Sequence, residues 1–467
     1  MIKVSPRFKP VLDAEFVPAV LWNRAYRALV QQTRGSRPLA IALTRADGRS
    51  SVWRGEVLPA WHAQAALTFR YVERLLKFLL WQRGGCRVTI MGAAEIAAEI
   101  KAHYSPKGAR AFDYRFMGDE VYGREFTVEA GLWADLPKEE TGALAVGRHL
   151  GGCRIGFDLG GSDRKASAVI DGKVVYSEEI PWDPYFQSDP AYHIEGVQDS
   201  LLRAAAHLPR VDAIGGSAAG VYVNNEVRVA SLFRGVPRDR FEQSIRRMFF
   251  DLRERWSGVP FEVVNDGEVT ALAGSMSLGE NAVLGVSMGT SMAAGYVTPE
   301  GGITPWLNEL AFAPIDYAAD APADEWSGDR GCGVQYFSQQ GVNRLAMRSG
   351  IQFPDAMPLP ERLVAVQASM AAGDDRAQAV YESIGTVLGY SVAHYADFYD
   401  LRNVLVLGRV TSGAGGEVIL DKAREVLRGE FPDLAERVRL AMPDEKDKRH
   451  GQAVAAASLP ALGALVN

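Results

Sequence analysis

The pattern of apolar and polar positions changes about a third of the way along the chain. In the first part, apolar residues 39–43 and 51–53 flank an Ala-Asp-Gly turn at 46–48, which predicts a β-hairpin. Apolar positions at helical spacing over about 60–83 predict a long amphipathic helix, and residues 88–92 predict a short buried strand. These elements indicate an α+β region.

From Cys153 onwards, short apolar runs that end in glycines alternate with amphipathic helical segments, which is the pattern of an α/β sheet. We expect a boundary near 136–152 and three regions: an N-terminal α+β domain at 1–150, a first lobe at 151–300 and a second lobe at 301–467. The order of hairpin, helix and strand in the first region weakly repeats the order after Cys153. Two interpretations stay open for it, a degenerate duplicated half and a purely structural addition.

Composition and charge narrow the class of protein. The chain has 467 residues, of which 47% are hydrophobic and 23% charged, so it can bury the cores of two or three domains. Its formal net charge of −6 gives no electrostatic reason to expect binding to nucleic acid or to a membrane. We find no signal-peptide pattern and no long apolar run, and we expect a cytoplasmic protein. The three cysteines are far apart and show neither a disulfide framework nor metal-ligand spacing.

The first stretch whose residues could form a ligand site is 156–162, a predicted strand that runs into a glycine turn. Two adjacent glycines lack the Cβ atoms that would keep a phosphate away from backbone amides. Asp158, at the strand end, could hold Mg²⁺, usually through water. The alternative is a tight hairpin with incidental charges. The candidate phosphate-binding residues of this stretch are Gly160, Gly161, Ser162 and Lys165.

Further motifs follow at the ends of later predicted strands. Asn265 and Asp266 lie at the carboxyl end of a strand, where α/β folds place ligands, although an Asn-Asp-Gly turn could serve only as a cap. Ser217 lies in a glycine-rich turn and could face a ligand or merely close that turn. Two more candidate phosphate or nucleotide sites are a small-residue turn with Gly289, Thr290 and Ser291, and a glycine-rich segment that begins at Gly408.

Taken in order, these motifs resemble the ATP-binding core shared by sugar kinases, actin and the Hsp70 chaperones, and most closely the ROK family (repressors, uncharacterised frames and sugar kinases). Residues 158–162 resemble the first phosphate loop, residues 287–291 resemble the second, and Leu407-Gly408 resembles the adenosine motif. The resemblance covers roughly residues 153–465. The resemblance implies a ribonuclease-H-like, two-lobed ATPase core of the actin/hexokinase type with an additional N-terminal α+β domain. It also implies ATP and Mg²⁺ as cofactors.

The resemblance implies roles for single residues as well. Asp266 would be the general base, and Asn265 beside it would bind sugar hydroxyls. Asp158 would hold Mg²⁺, Glu309 would contact the substrate in a motif that resembles Gly-Glu-x-Gly-His, and Ser217 could face the same substrate. Glu309 could also be an ordinary solvated carboxylate.

The chain departs from the ROK pattern at the sugar pocket. Phe312 occupies the place of the histidine that contacts sugar and in many members ligates zinc, and Val334 occupies the place of a second sugar-binding glutamate. Only Cys332 remains of the cysteine cluster, so we expect no structural zinc. The sugar preference is therefore open.

The sequence predicts an ATP-dependent kinase of a sugar or sugar-like polyol. The rival hypotheses are a non-catalytic sugar-sensing regulator and a pseudokinase or protein-directed ATPase with the same fold. A homodimer is a further expectation, since dimers are common in similar families. The sequence leaves open which sugar and which hydroxyl are used, and which phosphoryl donor serves.

Overall fold

The computed structural model describes residues 2–140, 146–443 and 445–462. The strands are β1 (Arg37–Thr44), β2 (Ser50–Val57), β3 (Arg87–Met91), β4 (Thr127–Gly131), β5 (Cys153–Leu159), β6 (Asp163–Ile170), β7 (Lys173–Pro181), β8 (Ala213–Ala218), β9 (Val221–Val223), β10 (Glu226–Val229), β11 (Phe261–Asn265), β12 (Val283–Met288), β13 (Met292–Val297), β14 (Asn403–Leu407) and β15 (Arg439–Ala441).

The α-helices are α1 (Ala19–Gln32), α2 (Ala66–Arg83), α3 (Ala94–His103), α4 (Ala111–Arg115), α5 (Pro190–Ala205), α6 (Arg238–Arg240), α7 (Met248–Arg255), α8 (Asp266–Leu278), α9 (Gln339–Arg348), α10 (Leu359–Ala371), α11 (Asp375–Tyr395), α12 (Ala414–Glu430), α13 (Pro432–Arg437) and α14 (Glu445–Ala457). Short 3₁₀ or π turns are formed by Phe116–Tyr122, Trp133–Asp135, Ser231–Phe233, Phe241–Ile245, Leu310–Phe312, Gly333–Gln335 and Arg409–Thr411.

The chain separates into two compact units. Unit 1 contains the described parts of 1–141 together with Val286–Ala294 and Trp306–Met442, and unit 2 contains the rest. This division differs from the three regions expected from the sequence, which as functional domains stay a prediction. The expected boundary at 136–152 falls partly on residues 141–145, which lie outside the described residues.

The N-terminal sheet of unit 1 has the strand order β2-β1-β3-β4. The predicted hairpin is confirmed as β1 and β2, which pair antiparallel around a turn in which Arg45 N–H donates to Arg49 O at 2.9 Å. The predicted strand is confirmed as β3, antiparallel to β1 and parallel to β4. The predicted long helix is α2; it ends at Arg83 as expected but begins only at Ala66.

The central sheet of unit 2 has the order β11-β8-β5-β6-β7. Strands β5, β8 and β11 are parallel, and β5, β6 and β7 form an antiparallel meander. Side chains alternate across a strand, so Ile155 and Phe157 join the core formed with α5 and α7. Gly156, between them, faces α14, because a Cβ at this position would collide with Ala453 O. The parallel strands place their carboxyl ends along one edge of the sheet.

A second four-stranded sheet has the order β13-β12-β14-β15. Helices α11 and α12 pack closely on each other in unit 1, where Gly385 and Gly389 of α11 lie against Ile419 and Val426 of α12. The chain passes from unit 2 into unit 1 within β12 and returns within β13. The turn between these two strands is therefore part of unit 1.

Candidate functional site

Asp158 is the sixth residue of β5 and lies next to Ser217 of the neighbouring parallel strand β8. The buried Ser217 hydroxyl donates a hydrogen bond of 2.6 Å to Asp158 Oδ1. Burial raises the pKa of Asp158, while this hydrogen bond and the charge of Lys165 lower it and Asp163 raises it further. The sequence left open whether Ser217 faces a ligand or closes its turn. In the structure its hydroxyl orients the Asp158 carboxylate, and its contact with a substrate stays a prediction.

Asp266 is the first residue of α8, directly after the carboxyl end of β11. Asn265 caps this helix: its Oδ1 accepts from Gly267 N–H and its Nδ2 donates to Gly220 O, both at 2.7 Å. Gly267 N–H also donates to Asp266 Oδ1 at 2.9 Å. Asn265 thus holds the turn that presents Asp266, and the predicted contact of its amide with a sugar stays a prediction.

Burial raises the pKa of Asp266 to about 6, and the negative charge of Asp158 contributes to that shift. Hydrogen bonding from Gly267 N–H acts in the opposite direction. Burial raises the pKa of the Tyr222 hydroxyl as well, and the charge of Asp266 adds to it. A carboxylate with a pKa near neutrality is suited to accept a proton at physiological pH.

The negative charge of Asp158 disfavours ionisation of the Asp266 carboxyl, so a divalent cation beside them would relieve the repulsion. One or two carboxylates, with water and phosphate oxygens completing the shell, is the donor set that Mg²⁺ usually takes. The described residues contain no cluster of three or more His, Cys, Asp or Glu side chains of metal-binding geometry. The residues present therefore fit Mg²⁺ shared with a phosphate ligand better than a site made of protein ligands alone.

The predicted glycine loop closes the turn between β5 and β6. Gly160 N–H donates to Asp163 O at 2.9 Å, and Trp182 Nε1 donates to Gly160 O at 2.7 Å. At Gly161, a Cβ atom would collide with the Tyr185 hydroxyl, so the loop accepts only glycine there without rearrangement. Ser162 is exposed, but its hydroxyl donates to Asp163 Oδ2 at 2.8 Å. Lys165 Nζ lies 3.3 Å from Asp163 Oδ1.

Unit 1 carries the second small-residue turn and the adenosine-like motif. Gly289 N–H donates to Ser291 O, and Gly289 O accepts from the first amide of α9, both at 2.9 Å. Thr290 and Ser291 are exposed. Gly408 has φ 102°, and a Cβ there would collide with Met288 O, so this position requires glycine.

A cavity of about 680 Å³ in unit 1 lies beside the segment that follows Gly408. One wall is the apolar face of α10, with Pro360, Leu363 and Val364, and the segment supplies Arg409 and Ser412. Its size and mainly apolar lining are suitable for a purine nucleoside.

Glu309 lies on a short segment that is held against the end of α2. Asn308 N–H donates to Gln82 O and Glu309 N–H to Trp81 O, both at 2.9 Å. Asn308 is buried at φ 49°, where the resembling motif has glycine, and its Oδ1 accepts from the Tyr399 hydroxyl at 2.7 Å. This contact fixes the backbone that carries Glu309.

Phe312, at the place of the expected histidine, belongs to an aromatic cluster that sequence reasoning missed. Its ring lies 4.3 Å from that of Trp81, and Trp326 meets it edge-on at 5.4 Å. Phe112 and Phe116 also contact Trp326, at 5.4 and 5.6 Å. Residues from the N-terminal region therefore surround a position that the resemblance assigns to sugar and zinc binding.

A buried ion network lies next to this aromatic cluster in unit 1 and was also missed. Lys77 Nζ, fully buried, is 3.0 Å from Asp113 Oδ1 and 3.1 Å from Asp329 Oδ2. Burial alone would lower the pKa of Lys77, but the two carboxylates raise it above its usual value. The other charged members are Glu73, Arg74 and Arg110. The network thus contains three cations and three carboxylates, and its formal net charge is zero. The free Cys332 is buried beside it.

No protein-family model matches this chain, and no curated protein does. Among solved structures, it is similar to the ROK hexokinase from Thermus thermophilus, with 21% identity and a TM-score of 0.51 over 65% of this chain and 97% of that chain. It is similar at 17% identity to a ROK family transcriptional regulator, a homolog of the E. coli MLC protein, with a TM-score of 0.52 over 66% of this chain and 79% of that chain. The chain has the ROK fold.

A ROK family glucokinase from Streptomyces griseus, solved with glucose and AMPPNP, is also similar, at 20% identity and a TM-score of 0.49 over 66% of this chain and 98% of that chain. The ROK fold confirms the predicted α/β core of the actin/hexokinase type, and part of this chain lies outside the match. Within the ROK fold, kinases and a regulator both occur, so the fold alone does not decide between them. None of the described helices is long and apolar enough to span a bilayer.

Proposed function

We propose that this chain is an ATP-dependent kinase that phosphorylates a hydroxyl of a sugar or sugar-like polyol. The observation that carries the proposal is the carboxylate of Asp266 at the end of β11, with a pKa of about 6, beside a second oriented carboxylate, Asp158. A regulator that only binds sugar does not need a proton-accepting carboxylate whose pKa lies near physiological pH.

In the proposed reaction, Asp266 accepts the proton of the acceptor hydroxyl while that oxygen forms its bond to the γ-phosphorus. The bond between the γ-phosphorus and the bridging oxygen breaks, and ADP leaves with the electron pair. Asp266 then releases the proton to water. A positioned base of this kind typically contributes about 10²- to 10⁴-fold in rate.

Phosphoryl transfer depends mainly on positioning and on charge stabilisation. Asp158, held by Ser217, is the residue that would hold Mg²⁺, and this ion supplies neutralisation of the phosphate oxygens when bound. The backbone at Gly161, Ser162, Thr290 and Ser291 would bind phosphate oxygens. The cavity beside Gly408 would hold the adenosine.

For the acceptor, Glu309 is the proposed hydroxyl-binding residue in unit 1. Phe312 and Val334 are apolar and cannot accept or donate the hydrogen bonds that a histidine and a glutamate would make. We therefore propose that the substrate differs from glucose at the hydroxyls that a histidine and a glutamate at those two positions would contact.

The second candidate function is a sugar-responsive regulator without catalysis, which is favoured by the similarity in fold to the ROK transcriptional regulator. The two functions predict different outcomes in one experiment. ADP release from ATP and Mg²⁺ is measured with a panel of hexoses, amino sugars, pentoses and polyols, for the native chain and for Asp266→Asn.

Sugar-dependent ADP release that is lost in Asp266→Asn supports the kinase. If the native chain binds ATP and a sugar but releases no ADP with any member of the panel, the kinase proposal is wrong and the regulator is favoured. ATP hydrolysis without dependence on any sugar would point instead to an ATPase that acts on another partner.

A further inference from the structure

The cavity beside Gly408 has one positive and one negative group among its lining side chains. Arg409 is the only basic lining residue, and Glu361, in the first turn of α10, is the only acidic one. The rest of the lining is mainly aliphatic. The two charged groups do not form an ion pair, so their charged atoms lie more than 4.0 Å apart. A ligand in this cavity therefore meets a cation and a carboxylate at separate points.

The backbone of Arg409 is held in place. Its carbonyl accepts from Gln367 Nε2 at 2.7 Å, and the preceding carbonyl, of Gly408, accepts from the Thr411 hydroxyl at 2.9 Å. Gly408 itself cannot shift freely, because it lies directly against the backbone of Met288. The starting point of the Arg409 side chain is thus fixed relative to the cavity wall.

The guanidinium of Arg409, in contrast, is available. The side chain is exposed, and it makes no hydrogen bond, ion pair or aromatic contact with any residue that the structure describes. Arg362 of α10, by comparison, is engaged, because it donates to Met357 O and to Asn343 Oδ1. An arginine with a fixed backbone and five free donors, at a cavity of nucleoside size, is suited to bind phosphate through two parallel hydrogen bonds.

We propose that Arg409 binds the phosphate chain of the donor nucleotide and sets the preference for nucleotide over nucleoside. This inference rests on the proposed function. Glu361 repels the phosphates from the other part of the cavity and can accept hydrogen bonds only from the hydroxyl or amino groups of the nucleoside. The two charges together orient the donor with its anionic end towards Arg409.

The test is titration calorimetry of the full chain with ATP, ADP and adenosine, for the native chain and for Arg409→Ala and Arg409→Lys. Arg402→Ala is the matched control, since Arg402 is also exposed but lies outside the cavity. We expect Arg409→Ala to weaken ATP and ADP binding by about ten-fold or more and to leave adenosine binding within about two-fold. Arg409→Lys should retain part of the affinity, and Arg402→Ala all of it. Thermal melts by circular dichroism check that each variant is folded.

Equal ATP affinity of the native chain and Arg409→Ala would overturn the inference while leaving the proposed function intact. An equal loss of ATP and adenosine would also overturn it, because it would show contact with the nucleoside and not with phosphate. If the native chain binds neither ATP nor adenosine, both the inference and the proposed donor are wrong.

Discussion

At the residue scale, the site depends on how two carboxylates are held. Asp158 is oriented by a hydroxyl from the adjacent strand, and Asp266 by the cap of the helix that it begins. The sequence indicated Asp158 and Asp266 as candidates because each lies at the carboxyl end of an apolar strand. It could not predict the contact between Ser217 and Asp158, since that contact depends on the register between β5 and β8.

The raised pKa of Asp266 leads to a prediction about activity. Asp266 must be ionised to accept a proton, so kcat/KM for the proposed reaction should fall as the pH is lowered through about 6. Initial rates measured from pH 5 to 9 at several Mg²⁺ concentrations check this. Bound Mg²⁺ would favour the ionised form, so the midpoint should move to lower pH as the Mg²⁺ concentration rises. A midpoint that does not depend on Mg²⁺ would contradict the placement of the metal beside this pair.

The raised pKa of Asp266 also leads to a prediction about stability. A carboxyl whose pKa is raised on folding stabilises the folded state fully only below its unfolded pKa, and that contribution is lost as the pH rises through the folded pKa of about 6. Asp266→Asn carries no charge to bury, so at pH 8 it should be more stable than the native chain by about 1–3 kcal/mol. Urea denaturation at pH 4 and pH 8 measures this difference, which should disappear at pH 4.

At the element scale, the glycine loop and the adenosine-like segment show what local sequence can reveal. Adjacent glycines predicted a tight turn between β5 and β6, and the turn is there. The glycine at 161 is required by Tyr185, a residue on a distant segment, and no local pattern pointed to that contact. Sequence reasoning thus located the loop but could not identify its neighbour.

Gly161→Ala should destabilise the chain by about 1–3 kcal/mol, because the added methyl group collides with the Tyr185 side chain. In a Tyr185→Ala background the same change should cost much less, since the space is then free. Free energies of unfolding from urea denaturation complete this double-mutant cycle. Gly151→Ala is the matched control, because a Cβ at Gly151 meets no atom within 4 Å. Additive costs of the two changes would show that the collision does not occur.

At the scale of the whole molecule, the N-terminal region is part of a unit and not an appendage to it. The sequence favoured a separate domain because the pattern of apolar positions changes near Cys153. Arg74 and Lys77 of α2 form ion pairs that this pattern does not indicate. Their partner Asp329 lies far along the chain, so only the folded structure shows that these charges are buried. The ROK fold was predictable because each of its motifs is a run of neighbouring residues. The ion network was not predictable, because its members lie far apart in the sequence.

Lys77→Met should destabilise the chain by about 3–5 kcal/mol, because it leaves the carboxylates of Asp113 and Asp329 buried without their shared cation. Lys422→Met is the matched control: Lys422 pairs with Glu425 at 2.9 Å on the partly exposed face of α12, and its loss should cost less than about 1 kcal/mol. Chemical denaturation of both variants measures the costs. Similar small costs for the two lysines would show that the buried network contributes little to stability.

The position of α14 sets a condition on the order of events during synthesis. The face of the central sheet around Gly156 and Gly215 lies directly against the backbone of α14, at Ala453 and Ala456. A ribosome releases the strand that carries Asp158 long before it releases this helix, and chains can begin to fold as they emerge. One face of the central sheet therefore stays uncovered while residues 306–442 of unit 1 are being translated.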